Sequence, residues 1–161
     1  DRLKDTAAVT VNPTDKALSE ILELPFGYLQ LHGSESPARI HEIKMRFPIR
    51  IIKAFPTSRA EDLDATVQYH DSADMFLFDA KSTNPAMPGG TGTSFDWSLL
   101  KSFQSPKPWF LSGGISLANM DEALEQSGAQ MLDLSSSLES APGIKDITKI
   151  AAFLSHAKSK H

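Results

Sequence analysis

No cysteine occurs anywhere in these 161 residues. Disulfides, thiolate metal sites and thiol nucleophiles are therefore excluded from the chain as it stands. Long hydrophobic runs are missing as well: none approaches the roughly 18 residues of a membrane helix, and no signal peptide is read at the start. Neither sign of charge dominates. The net charge is −4, the pI is near 5.7, and the basic residues are scattered, with one mild cluster in the 158–161 tail. Nucleic acid and anionic membrane are thus not expected as partners. The five histidines, His32, His41, His70, His156 and His161, show no ligand-type spacing, so no metal site is expected. The expected compartment is cytoplasmic.

What is present is ordinary for a globular enzyme: 40% hydrophobic and 22% charged residues, in a chain long enough for one domain with a real core. Six short apolar runs recur, at 7–11, 28–32, 49–55, 75–80, 109–112 and 131–135. Between them lie segments with helical periodicity. Leu18, Ile21 and Leu22 share one face after Thr14-Asp15. Ser36-Pro37 opens a second helix with a cap followed by proline at the first helical position. Ser58-Arg59-Ala60-Glu61 has the capping-box spacing. Further helices are expected after Gly92 (Phe95, Leu99, Leu100), from Ser116 (Met120, Leu124) and from about Lys145 (Ile147, Ile150, Ala151, Leu154).

Strict strand–helix alternation means parallel strands joined by right-handed crossovers. An open doubly wound sheet and a closed barrel both satisfy it. Polar or glycine residues sit at the C-terminal tip of nearly every run: Asn12, His32-Gly33, Lys53, Asp79, Ser112-Gly113-Gly114 and Asp133 to Ser136. An open sheet confines its site to a switch point, whereas a barrel draws one ring of residues from every strand tip. The pattern favours an α/β fold of the TIM-type (βα)₈ class, with six βα units visible. Residues 1–161 are expected to form one such domain, incomplete at its N-terminus. Two more units, roughly 40–65 residues, are expected upstream of Asp1.

The most telling stretch is 75–97, MFLFDAKSTNPAMPGGTGTSFDW. A strand delivers one acid, Asp79, at its tip, and a loop with Gly89, Gly90 and Gly92 follows. A carboxylate beside a glycine loop is how an enzyme places a proton donor under a lid. Asp after a strand also serves as a turn former or helix cap, but here the next helix begins well downstream. The loop at 81–88 is expected to close over substrate. Near the C-terminus, LSGGI at 111–115 and LDLSSS at 132–137 end the last two strands. Barrel loops at that place bind phosphate through backbone N–H groups and hydroxyls, and glycine permits close backbone approach. Gly113, Gly114, Ser135 and Ser136 are the candidate phosphate ligands.

Three other residues stand out. His32 is either a satisfied core histidine or a site residue. Lys53, flanked by Ile51, Ile52, Ala54 and Phe55, either snorkels or attracts an anionic substrate. Asp133 lies in an apolar run, where a carboxylate needs a donor; a substrate hydroxyl supplies one. Trp97, Trp109 and Phe110 read as core.

Together these segments resemble phosphoribosylanthranilate isomerase over the whole chain. The matching pieces are VTVNPT at 9–14, LQLHG at 29–33, IKAF at 52–55, LFDAK at 77–81, GGTGTSFDWSLL at 89–100, LSGGI at 111–115 and LDLSSSLESAPGIKD at 132–146. The resemblance implies a (βα)₈ barrel of tryptophan biosynthesis, matched over its third to eighth units. It implies an Amadori rearrangement of N-(5-phosphoribosyl)anthranilate, without cofactor, on a small phosphosugar substrate by a monomer or weak dimer. It makes Asp79 the general acid, puts Gly113, Gly114, Ser135 and Ser136 at the phosphate, His32 and Asp133 at the sugar, and Gly89, Gly90 and Gly92 in the closing loop.

Two departures accompany it. The cysteine base that the resemblance implies on the first strand is absent here, as is an arginine near the second unit, so the 161 residues alone are expected not to turn over substrate. Ser137 also stands where the family often has glycine. Two alternatives remain: another phosphosugar barrel such as indoleglycerol-phosphate synthase, against which Asp79 and GGTG argue, and a non-catalytic barrel remnant that binds phosphosugars.

Overall fold

The hydroxyls of Thr14 and Ser36 open the first two helices by accepting from the N–H groups of Ala17 and Arg39, at 3.2 Å each. These are the caps that the sequence announces. The computed structural model describes residues 4–80 and 96–159. Strands β1 (Ala7–Thr10), β2 (Tyr28–Leu31), β3 (Arg50–Thr57), β4 (Met75–Ala80), β5 (Trp109–Ser112) and β6 (Met131–Leu132) alternate with helices α1 (Asp15–Ile21), α2 (Pro37–Arg46), α3 (Ser98–Lys101), α4 (Met120–Ser127) and α5 (Ile147–Lys158). Sheet order follows chain order, β1 to β6. The pairings β1·β2, β2·β3 and β5·β6 are parallel, with Thr10 opposite Leu31, Leu31 opposite Lys53, and Leu111 opposite Leu132. Among the described residues no helix is long and apolar enough to cross a membrane.

The chain divides into two compact units. The first comprises Asp1–Phe55, Glu61–Leu77 and Gln104–Trp109; the second comprises Pro56–Ala60, Phe78–Phe103 and Phe110–His161. In the first, Leu18, Leu29, Leu31, Ile40, Ile43, Ile51 and Phe76 are fully buried. Phe55 packs edge-on against both Tyr69 and Phe76, with ring centroids 5.3 Å apart in each pair. The ammonium of Lys44 pairs with Asp74 at 2.9 Å, and Asp74 in turn accepts from the Ile51 N–H at 2.8 Å, tying α2 to the start of β3. Asp15 accepts from Arg39 at 2.6 Å and also from Arg46. Those two guanidiniums hold its carboxyl below the usual carboxylate range.

The second unit is built on Phe78, Leu100, Leu111, Met120 and Ala123, with Phe78 set edge-on to Phe103 at 5.4 Å. Strand β4 runs from one unit into the other, and Phe76, Leu77 and Phe78 are all buried. That is the signature of a strand covered on both faces.

Four local expectations change. The segment with the capping-box spacing winds as a 3₁₀ helix, Ala60–Tyr69, not as an α-helix. There the Thr66 hydroxyl donates to the Leu63 carbonyl three residues back, at 2.7 Å, and so competes with α-helical pairing. Helix α4 starts at Met120, because Asn119 Oδ1 accepts from the Ser116 N–H and hydroxyl, at 2.8 and 3.2 Å, and holds the preceding turn as a loop. Residues 139–145 form a hairpin, β7 (Glu139–Ala141) and β8 (Ile144–Lys145), turning at Pro142-Gly143 with Gly143 at φ 78°. Helix α5 buries Phe153, while Ile147 and Leu154 are 82% and 52% exposed; the expected apolar face of that helix is rotated away. The expected closing loop, with Gly89, Gly90 and Gly92, lies outside the described residues.

Candidate active site

In the second unit, Asp79 is the penultimate residue of β4, β5 ends at Ser112 and leads into Gly113-Gly114, and β6 runs on into Asp133. These residues, with Ile115, Leu134, Ser135, Ser136 and Ser137, line a pocket of about 190 Å³. Glycine is required at 113. Its φ is +92°, and a β-carbon there would meet the Ala80 carbonyl oxygen at 2.3 Å. The tip of β5 can therefore lie against the backbone beside Asp79 only if residue 113 has no side chain. Gly114, at φ +69°, continues the turn, and its carbonyl accepts from the Asn119 amide at 3.0 Å. The result is bare backbone facing the pocket.

The next strand is tied in through Asp133. Its N–H donates to the Leu111 carbonyl at 2.8 Å, and its carboxylate accepts from the Ser112 hydroxyl at 2.9 Å. Ser135 is held from outside the pocket. Lys145 Nζ donates to the Ser135 carbonyl at 3.0 Å, to the Ser135 hydroxyl at 3.2 Å and to Glu139 at 2.7 Å. The Glu139 carboxylate also accepts from the Gly143 N–H at 3.1 Å. Lys145, with the Gly143 N–H, pulls the Glu139 carboxyl below its ordinary pKa. Two aspartates line the pocket, and no lysine, arginine or histidine does so among the described residues. An anion bound here is held by neutral donors: backbone N–H groups and serine hydroxyls.

The first unit carries a second set of strand-tip residues. Glu35 gathers them. Its carboxylate accepts from the Asn12 N–H at 2.7 Å and the Gly33 N–H at 3.1 Å, and it meets Lys53 Nζ at 3.2 Å with both side chains at most 3% exposed. Lys53 also donates to the carbonyls of Leu31, Gly33 and Ala54, at 3.2, 2.7 and 3.0 Å. Burial pushes the Lys53 ammonium down while Glu35 pulls it back up, leaving it below the ordinary lysine value. Burial and the Glu35 charge both push the Tyr69 phenol up, and its hydroxyl donates to the Glu35 carbonyl at 3.0 Å. His32 Nδ1 lies 3.2 Å from the Gln30 amide nitrogen.

Residues 2–156 match the family described as N-(5'-phosphoribosyl)anthranilate (PRA) isomerase. N-(5'-phosphoribosyl)anthranilate isomerase of Zymomonas mobilis subsp. pomaceae is 44% identical over 151 residues, which are 93% of this chain and 71% of that protein. The chain belongs to the phosphoribosylanthranilate isomerase family. The crystal structure of phosphoribosyl anthranilate isomerase from Thermotoga maritima matches with a TM-score of 0.80 at 30% identity, over 95% of this chain and 72% of that one. A second isomerase crystal structure, in complex with reduced 1-(o-carboxyphenylamino)-1-deoxyribulose 5-phosphate, matches with a TM-score of 0.74 at 27% identity, over 95% of this chain and 71% of that one.

Of the isomerase-type residues read from the sequence, Asp79, Gly113, Gly114, Asp133, Ser135 and Ser136 line one pocket. His32 and Lys53 lie in the other unit. Lys53 is neither a snorkelling side chain nor an exposed cation. It is buried, and its charge is met by Glu35. Glu35 and Lys145 escaped the reading of single residues. Each had a signal: Glu35 follows LQLHG by two residues, and Lys145 sits in the matched GIKD.

Proposed function

We propose that this chain carries the acid and phosphate-binding parts of a phosphoribosylanthranilate isomerase, on six βα units of a (βα)₈ barrel forming a single domain. The activity is the Amadori rearrangement of N-(5-phosphoribosyl)anthranilate to 1-(2-carboxyphenylamino)-1-deoxyribulose 5-phosphate. One observation carries the assignment of roles: Asp79 shares its pocket with Gly113, Gly114, Ser135 and Ser136. A carboxylic acid and an anion cradle in one pocket suit a short phosphosugar whose ring oxygen is to be protonated while its phosphate is held.

In this reading Asp79 gives its proton to the furanose ring oxygen. The bond from that oxygen to C1 breaks as the anilino nitrogen lone pair forms the C1–N double bond. The C2 proton then leaves to a base, its electron pair flows to the iminium, and the resulting enamine-enol tautomerises to the ketose. Asp133, oriented by the Ser112 hydroxyl at 2.9 Å, accepts from a sugar hydroxyl beside it. Lys53 positions the strand tips of its own unit through Glu35. The partner is a small phosphosugar, and the protein acts as a monomer or weak dimer.

The test is Asp79→Asn in the native protein. A general acid contributes about 10²–10⁴-fold, so kcat should fall by at least 100-fold while phosphate affinity is unchanged. A kcat within tenfold of the parent would exclude Asp79 as the acid.

A further inference from the structure

Ser137 Oγ is buried and has no hydrogen-bond partner among the described residues, yet Ser137 lines the same pocket as Gly113, Gly114, Ser135 and Ser136. Buried hydroxyls are almost always paired, and an unpaired one calls for a reason. The pocket provides one. Two carboxylates line it and no cationic side chain does, among the described residues, so a phosphate there depends on neutral donors. A hydrogen bond to a charged acceptor is about twice as strong as one between neutral groups. The Ser135 hydroxyl already accepts from Lys145 at 3.2 Å, which leaves its own proton to be donated elsewhere. Ser137 has both its proton and its lone pairs uncommitted.

We propose that Ser137 is a further phosphate-binding residue, donating its hydroxyl proton to a phosphate oxygen. This rests on the reading of the pocket as the phosphate end of the substrate site. The orphaned hydroxyl disfavours the unliganded state, and bound phosphate removes that penalty. Deleting the hydroxyl therefore acts in opposite directions: it leaves the unliganded protein as stable or more stable, and it weakens phosphate binding. A serine with a purely structural role would lose stability and affinity together.

The experiment titrates the ¹⁵N-labelled protein with inorganic phosphate, following the amide resonances of Gly113 and Gly114, for the parent and for Ser137→Ala and Ser137→Gly, with thermal unfolding of each in the absence of phosphate. The parent amides should shift on titration. Both variants should bind phosphate about tenfold more weakly, about 1.4 kcal/mol, with an unliganded Tm equal to or above the parent's. Variant affinity within twofold of the parent would overturn the role of Ser137, as would a Tm that falls alongside affinity. If the parent's Gly113 and Gly114 amides do not respond, the phosphate reading itself fails and Ser137 falls with it.

Discussion

A β-carbon on Gly113 would lie 2.3 Å from the Ala80 carbonyl oxygen and 2.8 Å from the Ala80 amide nitrogen. The obstacle is backbone, so no side-chain rotation relieves it, and φ of +92° adds strain of its own. Gly113→Ala is expected to cost at least about 1–3 kcal/mol of stability and to separate the tip of β5 from Asp79. Gly114 differs: its φ is +69°, but a β-carbon there meets nothing within 4 Å, so Gly114→Ala should cost only the conformational part, about 1 kcal/mol. Urea unfolding of the two variants compares them directly. Equal costs would mean that the contact with Ala80 is not what fixes residue 113.

The pair formed by Lys53 and Glu35 at 3.2 Å should behave as a buried unit. Lys53→Met strands a carboxylate that still accepts from the Asn12 and Gly33 N–H groups, and removing one partner of such a pair costs about 3–5 kcal/mol. Combining Lys53→Met with Glu35→Gln should cost less than the sum of the single changes, by more than about 0.5 kcal/mol. A double-mutant cycle in urea measures this coupling. Strict additivity would show that the two side chains act independently.

Most of the alternation was legible because most strands are short, largely apolar runs and each early helix carries its own cap, as Thr14 and Ser36 show. The pocket was legible because Asp79, Ser112-Gly113-Gly114 and Asp133 to Ser136 close successive strands. What escaped depends on long-range pairing. The chain separates Asn12 from Glu35 by 23 residues, and Lys53 from Leu31 by 22, so no local pattern reveals that they share a proton network. The β7–β8 hairpin was signalled by Pro142-Gly143, but the matched GIKD read as the lead into a helix. The 3₁₀ winding around Thr66 turns on one hydroxyl choosing the Leu63 carbonyl, which periodicity does not register.

The Glu139 carboxyl has its pKa depressed in the folded state by Lys145 and by the Gly143 N–H. A carboxyl depressed on folding contributes stability that is fully present above its unfolded value, near 4.5, and is lost as the pH falls through the lower folded value. The stability advantage of the parent over Glu139→Gln should therefore be constant from pH 7 to about 5.5 and vanish in more acidic solution. Thermal unfolding of both proteins across that range is the measurement. A difference that persists undiminished at pH 2 would mean that the hairpin does not depend on Glu139 ionisation.

Lys145 joins that hairpin to the pocket, since its ammonium is shared between Glu139 at 2.7 Å and the carbonyl and hydroxyl of Ser135 at 3.0 and 3.2 Å. By donating to Ser135 Oγ it leaves that hydroxyl's own proton free to point elsewhere, and it places a positive charge one hydrogen bond away from a pocket lined by Asp79 and Asp133. Lys145→Met removes the charge and the orientation together. Phosphate affinity should fall about tenfold, roughly the worth of one charge-assisted contact, and should depend less on ionic strength. Lys145→Arg keeps the charge and should recover most of the affinity. Half-exposed as it is, the lysine contributes little to global stability, so the Tm of Lys145→Met should stay within a few degrees of the parent. A Lys145→Met protein that binds inorganic phosphate as tightly as the parent, with the same salt dependence, would confine Lys145 to the hairpin and leave the pocket to its neutral donors.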